Sequence, residues 1–98
     1  MRFVFVKPAG PNNMSSNIYF ETLAGAIDGA VAKADADRVL LARPSELWSM
    51  CQDPLNYGNT RRGHFSIERY KDRPTKKYFH VVICRLDSGR YELTTYVL

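Results

Sequence analysis

The apolar positions of the chain switch period along its length, and the switches divide it into elements. Over residues 22–34, TLAGAIDGAVAKA, the positions Leu23, Ala26, Ile27, Ala30, Val31 and Ala34 recur at i, i+3, i+4, i+7, i+8 and i+11. That is one unbroken stripe at helical period. Thr22 stands where its hydroxyl can accept a hydrogen bond from a first-turn amide. The stripe is mostly alanine, so the helix must lie close to what it covers, and the strand-like segments around it make a sheet the expected cover. Phe20, two residues before the cap, is placed to pack over the first turn. Gly25 and Gly29 fall off the stripe and read as tolerated surface positions, although they would also let another backbone approach. Asp35, Ala36 and Asp37 end the helix without a glycine, and two carboxylates there oppose its dipole.

On either side the pattern is that of strands. Residues 2–7 carry the continuous apolar run Phe3-Val4-Phe5-Val6, which predicts a strand buried on both faces. Pro8 to Asn13 breaks it, and Ile18-Tyr19-Phe20 leads extended into the helix. Val39-Leu40-Leu41-Ala42 predicts a short buried strand closed by Arg43-Pro44. Ser45 then reads as the cap of a short helix over residues 46–51, with Leu47, Trp48 and Cys51 on one face and Met50 beside it. Trp48 is expected in the core, the alternative being an exposed anchor for a partner. Residues 52–63 form a long connection without period.

From His64 the alternation is strict. Residues 64–70 put Phe65, Ile67 and the stem of Arg69 on one face, and His64, Ser66, Glu68 and Tyr70 on the other. After a turn over residues 71–76, residues 77–86 put Phe79, Val81 and Ile83 against Tyr78, His80, Val82 and Cys84. Asp87-Ser88-Gly89-Arg90 reads as a hairpin loop, and residues 91–98 close a three-strand meander. The pattern predicts a single domain, residues 1–98, of the α+β class. It has a mostly antiparallel sheet of four to five strands, one main helix packed on one face, and a short second helix. Apolar residues on both faces of 77–86 hint at a second cover, which an isologous homodimer or the Trp48 helix could supply.

Composition narrows the function classes. Hydrophobic residues make up 45% of the 98 and charged residues 24%, a globular balance that argues against disorder. No stretch is long and apolar enough for a spanning helix, and no secretory hydrophobic region follows Met1. The expected setting is therefore the cytoplasm, with Cys51 and Cys84 as reduced thiols. Net charge is +4 and uneven. Residues 1–60 hold five Lys/Arg against six Asp/Glu, whereas residues 61–98 hold nine against four. A basic C-terminal region attracts anionic partners.

Catalytic signals are sparse. There is no glycine-rich phosphate loop, no HExxH and no GxSxG. Two cysteines and two histidines in separate segments lack the paired spacing of a zinc site. Cys51 with His80 is a conceivable thiol and base, without a local signature. The positive set carries more information. Tyr57, Arg61, Arg62, His64, Arg69, Lys71, Arg73, Lys76, Lys77 and Tyr78 gather around one strand and its flanking turns. Cations interleaved with aromatics can hold phosphates and stack on bases, or anchor an acidic protein. They are the expected partner-binding residues, with no catalytic residue, cofactor or metal assigned.

Residues 20–34, FETLAGAIDGAVAKA, followed by VLLA and three closing strands, resemble in architecture the small inhibitor proteins of phages, such as the anti-CRISPR proteins. Those share little sequence, so no functional residue is carried over. The resemblance implies a stoichiometric, cofactor-free binder that blocks a bacterial protein or ribonucleoprotein complex. A nucleic-acid-binding module using the same basic surface is the alternative. In size, charge and terminal meander the chain also resembles toxins of the RelE type, which cleave RNA. It departs from them where VLLA stands in place of a second consecutive helix.

Overall fold

A computed structural model describes residues 18–52 and 58–98. The strand expected over residues 2–7, the loop after it and Tyr57 lie outside the described residues. The elements are β1 (Ile18–Phe20), α1 (Leu23–Ala36), β2 (Val39–Leu41), α2 (Pro44–Trp48) running into a 3-10 turn (Ser49–Gln52), β3 (Thr60–Tyr70), β4 (Arg73–Pro74), β5 (Tyr78–Arg85) and β6 (Tyr91–Val97). The strands form one sheet in the order β1-β6-β5-β3-β2, with β4 paired to β3. Every pairing is antiparallel. The chain is α+β, as its pattern predicts. Among the described residues no helix is long and apolar enough to cross a membrane.

Helix α1 forms for the reasons its sequence gives. The Thr22 hydroxyl accepts a hydrogen bond from the Gly25 amide at 2.9 Å, and Ala26, Ile27, Ala30 and Ala34 are buried. These small residues let the helix settle onto β6, β5 and β2. They close a core with Leu47, Met50, Phe65, Ile67, Phe79, Val81, Ile83 and Leu93. At the C-terminus Asp37 is held by the Lys33 ammonium at 3.2 Å, which offsets its unfavourable place on the dipole. Arg38, not a glycine, takes the left-handed conformation that ends the helix, with φ 60°. Gly29 is not an idle surface position. A Cβ there would lie 2.2 Å from Cζ of Phe20, whose ring rests on this face of the helix. The close approach is between a side chain and the helix.

Other expectations change. Pro44, not Ser45, opens the short helix, with Arg43 at the N-cap position, because proline at the first turn gives up no needed donor. Leu47 and Met50, three apart, take the buried positions, so Trp48 turns outward and is 48% exposed. Both helices pack on the same face of the sheet, so α2 does not cover the other one. Strand β3 starts at Thr60, four residues earlier than the alternation suggests. It also carries a bulge: Leu40 pairs with Arg69, but Leu41 pairs with Ile67. The extra residue, Glu68, reverses the alternation beyond it. Tyr70, not the stem of Arg69, therefore packs on the core.

Candidate functional site

The strand period separates the predicted binding residues into three places. Arg61 and Arg62 are consecutive in β3 and so point to opposite faces. Arg61 lies on the helix-covered face at 3% exposure and is not a surface residue, contrary to the expectation. Arg62, His64 and Tyr78 stand on the open face. Arg69, Lys71, Arg73, Lys76 and Lys77 are exposed around the far end of the β3–β4 hairpin. The single basic surface read from the sequence is thus two surfaces and one buried arginine.

The first surface is a corner. Lys71 and Asp72, the two residues between β3 and β4, have φ of 52° and 68°. Two left-handed residues are what a tight hairpin of this hand demands, here met without glycine. The Lys71 amide donates to the Arg38 carbonyl at 2.9 Å, tying the turn to the end of α1. The Arg69 guanidinium donates to the Asp72 carbonyl at 2.8 Å, and Arg38 pairs with the Asp72 carboxylate. The Lys71 ammonium sits 5.2 Å from the Tyr70 ring centre. A concavity of about 210 Å³ opens here, lined by Asp35, Arg38, Val39, Leu40, Arg69 and Asp72. Arg38 adds a cation to the set that sequence reasoning missed. It is 34 residues from Asp72, and no local pattern links them.

The second surface is the open face. Register aligns His64 of β3, His80 of β5 and Tyr96 of β6 in one row. The His80 and Tyr96 rings are 4.7 Å apart and parallel within 2°. The His64 and His80 rings are 6.0 Å apart at 30°, and Tyr78 meets His64 edge-on at 5.5 Å. Burial disfavours the charged form of His80 and lowers its pKa below the ordinary value, and the neighbouring His64 adds to the effect. Two hollows flank His64. One, about 290 Å³, is lined by Arg62, His80 and Tyr96 among others. The other, about 410 Å³, is lined by Arg43, Glu46, Ser66 and Tyr78 among others. Sequence reasoning considered His80 as a base for Cys51 and gave Tyr96 no role, because only strand register makes them neighbours of His64.

Catalytic constellations are not assembled from the candidates. Cys51 lies in the 3-10 turn on the helix side of the sheet and His80 on the open side, so the thiol and imidazole are not a pair. Both cysteines are free. Among the described residues no three or more His, Cys, Asp or Glu side chains converge as a metal site. No known protein family, no curated protein and no solved structure matches the chain.

Proposed function

We propose that the chain is a non-enzymatic interaction protein of the bacterial cytoplasm, of the kind by which phages and mobile elements block a host complex. Its contact surface is the corner of Arg38, Arg69, Lys71, Arg73, Lys76 and Lys77, and its partner an acidic face of a protein or ribonucleoprotein complex. The observation that carries this reading is the build of the corner. Exposed cations surround a hairpin whose two turn residues are both left-handed and whose backbone is bonded to the end of α1. A stiff mount loses less freedom on docking than cations on a loose loop. Asp35 and Asp72 offset part of the charge, which favours a patterned protein face over a uniformly anionic one. The mechanism is blockade by occupancy.

The test compares tagged wild type with Arg69→Glu/Lys71→Glu/Arg73→Glu as bait in bacterial lysate, with and without nuclease. All three positions are exposed, so the fold is retained, which far-UV circular dichroism checks. A complex held by wild type after nuclease treatment and lost by the triple variant supports the reading. Equal retention by the variant overturns it. Enrichment that disappears with nuclease, with affinity falling steeply in salt, moves the assignment to nucleic acid. Growth arrest on expression would move it to an RNA-cleaving toxin.

A further inference from the structure

The row of rings on the open face supports a second activity that does not depend on the docking reading. His64 and His80 are direct cross-strand partners, which fixes their Cβ atoms about 5 Å apart. Each ring is steadied by an aromatic neighbour. Tyr96 lies parallel to His80 at 4.7 Å, and Tyr78 stands edge-on to His64 at 5.5 Å. Rings that face one another along a row hide their faces and turn their edges outward. For imidazole the edge carries the nitrogens. This arrangement leaves no room to stack a base between the rings and leaves the nitrogen-bearing edges accessible.

We propose that His64 and His80 form a two-imidazole chelating site for a divalent late first-row transition metal, with Cu2+ the preferred ion. A metal about 2.0–2.1 Å from one nitrogen of each ring holds the two ring centres roughly 5 Å apart. The rings stand 6.0 Å apart at 30° to each other, so chelation requires both side chains to rotate out of that stack until one nitrogen of each points to a common centre. Imidazole suits copper, nickel and zinc, and a given nitrogen site follows the order in which Cu2+ is tightest. Two protein ligands leave the remaining positions to water, so the site is open and exchangeable rather than structural. Arg62 lines the same hollow as both rings, and its charge works against a cation there. Arg43 and Glu46 line the hollow on the other side of His64 and are themselves paired at 3.3 Å.

Thiols also bind copper, so the experiment uses the full chain carrying Cys51→Ser and Cys84→Ser. Cu2+, Ni2+ and Zn2+ are titrated in turn at pH 7.5 by calorimetry, with the histidine ring signals followed by NMR. The proposal expects saturable binding of one Cu2+, both histidine rings perturbed together, and weaker Ni2+ and Zn2+. It expects loss of about tenfold or more in affinity in His64→Gln and in His80→Gln alike, because each removes one arm of the chelate. Tyr96→Phe keeps the ring and should bind as the parent does. Cu2+ affinity unchanged in either histidine variant overturns the proposal, and so does the absence of a saturable site in the parent. The corner variant Arg69→Glu/Lys71→Glu/Arg73→Glu leaves metal binding intact, so failure of the docking reading and failure of this one are told apart.

Discussion

The two faces of the sheet are cut from the same strands, with opposite parities of one alternating pattern. The covered face presents Phe65, Ile67, Phe79, Val81, Ile83 and Leu93 to a helix of small residues, and nearly all of it is buried. The open face presents His64, Ser66, Tyr78, His80 and Tyr96, polar or ring side chains with exposed edges. Burial is concentrated on one side and exposed polar and ring groups on the other. A residue's parity therefore says more about its role than its type does. Arg61 and Arg62 show this most directly, being identical side chains one residue apart on opposite sides.

The comparison breaks first, and by the largest amount, at Phe79. The side chain is fully buried, so Phe79→Ala should cost about 3–5 kcal/mol. Tyr96→Ala, at the other parity, should cost about 0.5–1.5 kcal/mol, the worth of its ring contact. Urea unfolding at constant slope measures both. Comparable losses would mean that the open face is a second core.

A smaller effect tests the covered side from the helix. Gly29→Ala should gain up to about 1 kcal/mol in helix propensity but drive a Cβ into the Phe20 ring, an overpacking cost of about 1–3 kcal/mol. The expected net is a loss of about 1 kcal/mol in thermal or urea unfolding. In a Phe20→Ala background the clash is gone and the same substitution should stabilise. A gain in both backgrounds would show that the ring moves aside freely.

The smallest effect belongs to the open face. The folded chain binds a proton at His80 less readily than the unfolded chain does. Where the unfolded state binds more protons, stability rises with pH. The neutral His80 therefore contributes fully above the unfolded histidine pKa of about 6.5, and that contribution is lost as pH falls below it. Unfolding midpoints between pH 8 and pH 5 should decline over that window, and less steeply in His80→Gln. An identical decline in the variant would place the dependence elsewhere.

The sequence by itself determined the parts that depend on near neighbours. The helix stripe, the Thr22 cap, the apolar parity of Phe79, Val81 and Ile83, and the Gly89 hairpin with φ 90° follow from contacts within a few residues, so the period and the turn residues carry them. Tertiary structure alone decided what depends on register and packing. The Glu68 bulge turned Tyr70 inward, and the length of β3 took Arg61 into the interior. The turn of a five-residue helix left Trp48 outside. The ring of Phe20 closed the space over Gly29. Arg38 met Asp72, and His64, His80 and Tyr96 fell into one row. In each case the partners are distant in the chain. A one-residue slip of a strand would have left every local propensity unchanged while reversing which side chains meet.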